Sequence, residues 1–179
     1  MNGNLFPLYE DDDLLVVNKP AGIKTHPNGP GENFTLMNQV AAYLAKQDKK
    51  AYMVHRIDQA TSGVLLIGKT PIVIGILNRQ LSQKTMSRQY IAIANDPEQT
   101  LLEHATINLP IGVDPYNKRK RTIDYITGLS AVTHYQLLHR KGPAATLAVN
   151  LETGRTHQIR LHLAADGHPI LGDPLYFPT

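Results

Sequence analysis

Hydrophobic positions in this chain fall into short clusters whose period changes along the sequence. "LYEDDDLLVVNKPAG" places two short apolar runs around an acidic turn and predicts two strands followed by a Pro-Gly loop. From Thr35 the spacing lengthens: Leu36, Val40, Tyr43 and Leu44 recur at helical intervals, which predicts a helix from Thr35 to about Gln47, capped by Asn33 or Thr35. Val64, Leu65, Leu66 and Ile67 form an uninterrupted apolar run, as expected of a buried strand. "PIVIGILNRQLSQ" reads as a second helix with Pro71 in its first turn. "RQYIAIAN" predicts a strand, "ATINLPIGV" a strand running into a loop, and "AVTHYQLLH" and "ATLAVNLE" two strands joined by the turn "RKGPA". In "TGRTHQIRLHLAADG" Ile159 and Leu163 sit four apart, so a last helix is expected, capped by Thr156 and ended by Gly167.

Several strands follow one another without an intervening helix. This predicts an α+β fold: a single domain over residues 1–179 with a mixed, largely antiparallel sheet flanked by helices. A length of 179 residues suits one such domain, and 42% hydrophobic against 18% charged residues is a globular composition. The absence of cysteine excludes disulfides, cysteine nucleophiles and thiolate metal sites, and fits a reducing compartment. "MNGNLFPLYEDDD" lacks the basic start and apolar core of a secretory leader, and the apolar runs are too short to cross a bilayer, so the expected location is cytoplasmic. The formal charge is only +3, but Lys118, Arg119, Lys120 and Arg121 form a dense basic cluster.

Candidate chemistry starts at "HRIDQATSGVLLIGK", where Arg56 and Asp58 stand just ahead of a strand. Asp58 suits a carboxylate nucleophile or base kept ionised by a nearby cation. Turn aspartates ahead of strands are common, however, and spacing alone favours that reading. In "TGRTHQIRLH", Arg155 and Arg160 near a helix start suit an anion as well as they suit a solvated face. His157 and His162 are five apart, which does not place two metal ligands on one helical face. "NKRKR" is either a phosphate-binding patch or a charged surface loop, and Tyr90 alone is a half-buried strand tyrosine.

The order of these segments is more specific than any one of them. "HRIDQATSGVLLIGK" resembles the signature of the RluA-type pseudouridine synthases, close to HRLD-x-x-TSG followed by an apolar strand and a lysine. "LYEDDDLLVVNKPAGIKTHP", "SRQYIAIA", "LPIGVDPYNKRKR", "SAVTHYQLL" and "LETGRTHQIRLHLAADGHPILGDPLY" are similar to the other segments of that family, in the family's order, from about Leu8 to Tyr176. The family pattern usually continues past "LGDPLY", whereas this chain ends at Thr179, so the resemblance implies a catalytic domain shortened at its carboxyl end, with no S4-type RNA-binding domain ahead of it.

That resemblance implies an RNA pseudouridine synthase, an isomerase acting on uridines of ribosomal or transfer RNA, with no cofactor and no metal. Asp58 matches the family's catalytic aspartate, Arg160 the arginine that pairs with it, and Tyr90 the tyrosine that stacks on the target base. Ile159 or Leu161 would supply an apolar wall. The target base must be flipped out of its stack, and Arg56 matches the arginine that fills the gap. Lys19, Lys69, Arg88, Arg155 and the run Lys118, Arg119, Lys120 and Arg121 are then expected to contact backbone phosphates. RNA is the expected partner of a monomer. The alternative is an RNA-binding protein of the same fold with impaired turnover.

Overall fold

A computed structural model describes residue 5 and residues 7–177. Residues 1–4 and 6 of the amino-terminal stretch read for a leader, and the chain end at Thr179, therefore lie outside the described residues. The chain forms two compact units, one ending at Met86 and the other beginning at Ser87.

In the first unit, β1 (Pro7–Glu10), β2 (Leu14–Lys19), β3 (Tyr52–Met53) and β4 (Gly63–Gly68) form an antiparallel sheet in the order β1-β2-β4-β3. The register pairs Leu15 with Ile67 and Val17 with Leu65, which puts all four on one face. Helix α1 (Leu36–Ala45) covers that face with Leu36, Val40 and Leu44, and together they make the core of the unit. Thr35 caps α1 in a reciprocal box with Asn38, which settles the choice between Asn33 and Thr35. Helix α2 (Pro71–Ser82) starts at Pro71 with Thr70 as its cap. The apolar run of β4 is corrected in one respect: Leu65 and Ile67 are fully buried, but Val64 is 58% exposed. A four-residue apolar run does not by itself distinguish a strand buried on both faces from one buried on alternate residues.

In the second unit, β5 (Gln89–Asn95), β6 (His104–Asn108), β9 (Val132–Lys141) and β10 (Ala144–Leu151) form a second antiparallel sheet, ordered β5-β10-β9-β6. Its core is built on Ala92, Ile107, Tyr135, Leu147 and Val149, closed by Leu163. The last is carried by α3 (Gln158–Ala165). "ATINLPIGV" holds two strands rather than one strand and a loop: after β6 the chain continues as β7 (Ile111–Val113), paired with β8 (Arg121–Ile123) in a two-stranded ribbon. The basic run thus lies at the tip and entry of a hairpin, with Arg121 inside a strand. Residue Thr156 does not cap α3. The N-cap is His157, in the left-handed conformation (φ 59°, ψ 19°) and without a side-chain cap, while Gly167 (φ 85°) ends the helix as expected.

His162 of α3 is fully buried, with Nδ1 against Thr133 Oγ1 at 2.8 Å and Nε2 against the Leu109 carbonyl at 3.0 Å. Burial lowers its pKa, and the bond to the Leu109 carbonyl offsets this only in part. A lowered folded pKa means that the unfolded chain binds the proton more readily. Stability is therefore full above the unfolded value near ~6.5 and is lost as pH falls through it, with a slope of at most about 1.4 kcal/mol per pH unit. Unfolding midpoints between pH 7.5 and 5.5 should fall less steeply in His162→Gln than in the native chain. An unchanged slope would assign the acid sensitivity elsewhere.

Candidate functional site

The segment between β3 and β4 is held at alternate residues. His55 Nε2 accepts the Leu66 N–H at 3.2 Å. Ile57 is gripped by Thr25, whose hydroxyl donates to the Ile57 carbonyl at 2.7 Å and accepts its N–H at 3.3 Å. The Gln59 carbonyl accepts from Gly22 N at 2.8 Å and Lys19 Nζ at 3.1 Å, and its side chain donates to the Gly22 carbonyl at 2.9 Å. Between these held positions, Arg56 is exposed and Asp58 half-buried. The Asp58 carbonyl accepts from Thr61 N at 3.1 Å, closing a turn into β4. The two charges that stood out in the sequence thus stand on a backbone held by bonds at their neighbours.

Lys19 is part of that backing, which corrects its expected role as a phosphate contact. It is 0% exposed, and its ammonium donates to the carbonyls of Pro20 (2.9 Å), Ile23 (2.7 Å) and Gln59 (3.1 Å). Burial lowers its pKa, and the negative charge of Asp58 acts in the opposite direction. A buried cation tying two loops together also supplies Asp58 with a positive neighbour. Lys69 is corrected for the same reason. It is buried, ion-paired to Glu10 Oε1 at 2.8 Å and bonded to the Asp11 carbonyl at 2.6 Å, so it holds the β1–β2 turn and offers no surface to a phosphate.

Tyr90 and Arg160 belong to the second unit. Tyr90 lies on β5 opposite Val149 of β10 and is half-buried against the core. Arg160, in the first turn of α3, makes a bidentate pair with Asp173: Nε to Oδ2 at 2.6 Å and Nη2 to Oδ1 at 3.0 Å. Burial acts to raise the Asp173 pKa, but Arg160 and the amides of Leu175 and Tyr176 outweigh it and hold the carboxyl below its ordinary value. Sequence reasoning passed over Asp173 because "LGDPLY" reads as a plain turn. Ile159 packs at the edge of the main core and Leu161 is buried with Ile111 and Ala131, so both serve as packing groups in this unit.

The remaining cations divide by exposure. Lys118 and Arg119 are exposed at the hairpin tip; Lys120 and Arg121 are half-buried. Arg155 is exposed, with Nε on the Ser130 carbonyl at 3.0 Å. Arg88 is half-buried, with Nη2 on the Glu152 carbonyl at 3.3 Å and its guanidinium packed where a side chain at Gly154 would have to go. Beside the basic tip stands Tyr116, 98% exposed; beyond β8 stand Tyr125 (76%) and Ile126 (95%). Sequence reasoning gave these three no role, although the mixing of tyrosine with the basic run was a visible signal. Among the described residues, no group of three or more His, Cys, Asp or Glu side chains is placed to hold a metal ion, and no helix is long and apolar enough to cross a membrane.

Comparison with known proteins agrees with the ordered motifs. The family model described as RNA pseudouridylate synthase matches residues 13–165, a span that includes Asp58, Tyr90 and Arg160. The chain is 43% identical over 178 residues to the Bacillus subtilis protein named RNA pseudouridine synthase YhcT, covering 97% of this chain and 58% of that protein. It is 40% identical over 171 residues to ribosomal large subunit pseudouridine synthase D of Neisseria meningitidis, covering 94% and 45%. The chain spans about half the length of the curated relatives it matches. Among solved structures, human RNA pseudouridylate synthase domain containing 1 superposes with a TM-score of 0.80 at 26% identity, over 99% of this chain and 71% of that one. The α+β fold and the RluA-type resemblance are both borne out: the chain belongs to the RNA pseudouridylate synthase family.

Proposed function

We propose that this chain isomerises uridine to pseudouridine in ribosomal or transfer RNA, in the cytoplasm, as a monomer and without a cofactor. The observation that carries this reading is the pinned 55–59 segment, which displays Arg56 and Asp58 on a fixed backbone in a chain of this family. In the reaction the bond from ribose carbon 1 to uracil nitrogen 1 breaks, the base turns, and a bond forms from the same ribose carbon to base carbon 5. The carbon-5 hydrogen leaves as a proton and nitrogen 1 takes one up, so nothing is oxidised or imported. Asp58 is the catalytic carboxylate, Tyr90 stacks on the base, and Arg160, held by Asp173 in the second unit, is the third residue assigned to the reaction. Arg56 fills the space vacated by the flipped nucleotide. Lys118, Arg119, Lys120, Arg121, Arg155 and Arg88 carry the phosphate contacts, and the exposed Tyr116 offers an unpaired base a stacking face.

Carbon-5 tritium in uridine reports the reaction directly, since that hydrogen must leave. Incubation with tritiated transfer and ribosomal RNA is expected to release tritium in step with pseudouridine. A folded protein that binds these RNAs and releases none would be the impaired RNA-binding alternative; one that neither binds nor releases would defeat both readings. The hairpin has its own test. Lys118→Ala and Arg119→Ala should each reduce the slope of log binding constant against log salt by about 0.7–0.9, the value of one phosphate contact. Slopes equal to the native one would remove the hairpin tip from the RNA interface.

A further inference from the structure

We infer that Tyr176 is a positioning residue with two separable tasks: its ring holds the Arg160 guanidinium, and its hydroxyl ties the basic hairpin to the start of α3. The inference deepens the proposed function and rests on it for its consequences in turnover.

The geometry lies within the second unit. Asp173 first builds the turn that presents Tyr176: its Oδ1 accepts the amides of Leu175 (2.9 Å) and Tyr176 (3.1 Å) while its carboxylate holds Arg160. The Arg160 guanidinium carbon then lies 5.3 Å from the Tyr176 ring centroid, within cation–π range. Arg160 is thereby fixed on two sides, by a fork of two bonds and by an aromatic face. At the other end of the same ring, the hydroxyl accepts the Arg121 N–H at 2.8 Å and is hydrogen bonded to His157 Nδ1 at 2.9 Å. The His157 and Tyr176 rings meet edge to face, 5.7 Å between centroids. Lys120 Nζ stands 6.0 Å from the ring.

Each hydroxyl partner needs this support. His157 occupies a left-handed conformation that is costly for a residue with a Cβ, and no side chain caps α3 there. Arg121 opens β8, a strand of three residues, too short to hold a hairpin in place through its own ladder. One side chain therefore connects the strand that follows the exposed Lys118 and Arg119, the backbone that begins α3, and the Arg160 assigned to the reaction. A tyrosine that merely filled the small cluster of Ile111, Ala131 and Leu161 would need neither its hydroxyl contacts nor its cationic ones.

Two substitutions separate the tasks. Tyr176→Phe keeps the ring and removes the hydroxyl. It should raise KM for RNA about fivefold, the worth of roughly one hydrogen bond, with kcat changed by less than about twofold. Tyr176→Leu removes the ring as well and should lower kcat by about tenfold in addition. Equal losses of kcat in both variants, or unchanged kinetics in a folded Leu variant, would overturn the inference. NMR gives a readout independent of turnover. The Arg160 Nε–H resonance should shift in Tyr176→Leu and stay in place in Tyr176→Phe, whereas exchange of the Arg121 amide should accelerate in both. If Tyr176→Leu does not fold, an unaltered Arg121 exchange rate and KM in Tyr176→Phe suffice to overturn it. If the native chain releases no tritium from RNA, the functional reading fails, and the two NMR signals still decide the role of Tyr176.

Discussion

Asp58→Asn is expected to lower tritium release from RNA by about 10²- to 10⁴-fold, the range by which a positioned side chain that handles a proton or forms a bond accelerates a reaction. The substitution keeps the size and shape of the side chain and removes its charge. Its structural cost is expected to be small, within about 1 kcal/mol, because Asp58 is half-exposed and the segment is held through other groups. Those groups are the His55 ring, the Ile57 backbone, the Gln59 carbonyl and the Asp58 carbonyl itself. A large loss of rate with native unfolding and native RNA affinity is therefore the expected combination. Release at the native rate from Asp58→Asn would remove Asp58 from the chemistry. Loss of activity only in step with loss of fold would return it to the status of a turn residue.

The second large effect concerns stability. Lys19→Met preserves a long, unbranched side chain and deletes the ammonium. The carbonyls of Pro20 and Ile23 then lose their donor, while that of Gln59 keeps the Gly22 amide. Two orphaned acceptors at about 1–3 kcal/mol each, partly relieved by relaxation toward water, give an expected destabilisation of about 3 kcal/mol. Urea unfolding followed by far-ultraviolet circular dichroism measures it. The salt dependence of RNA binding should meanwhile keep its native slope, because a fully buried ammonium releases no phosphate counterion. Stability within about 1 kcal/mol of native, or a slope reduced by about 0.7–0.9, would restore Lys19 to the RNA interface. Asp58 stands to lose its positive neighbour in this variant, so turnover should fall further than the folded fraction does.

Most of the regular elements were legible because their signals are local. Thr35 and Asn38 make a capping box three residues apart, Pro71 follows its own cap, and Leu36, Val40 and Leu44 repeat at the pitch of a helix. What escaped was structure whose stabilisation comes from a distant partner. β3 is two residues long and exists by pairing with β4, and β8 is three residues long and exists by pairing with β7. His157 could not be foreseen as an N-cap, because its conformation is supported by Tyr176, nineteen positions away.

The candidate site divides in the same way. Sequence alone singled out Arg56, Asp58, Tyr90 and Arg160, because their residue types stand in ordered motifs that a family member must present in series, and the family followed from that order. It did not distinguish cations that face solvent from cations that hold the fold together. Lys19 and Lys118 are both lysines beside turns, yet one is enclosed by three carbonyls and the other stands at a hairpin tip. Burial is a property of what packs around a residue, and that depends on positions as far apart as Lys19 and Gln59. Nor did sequence show why Arg56 and Asp58 alternate with His55, Ile57 and Gln59. Only the tertiary structure decided that the segment is held at His55, Ile57 and Gln59, since the groups that hold it are Thr25, Gly22, Lys19 and the amide of Leu66, contributed by chain before it and by the strand after it.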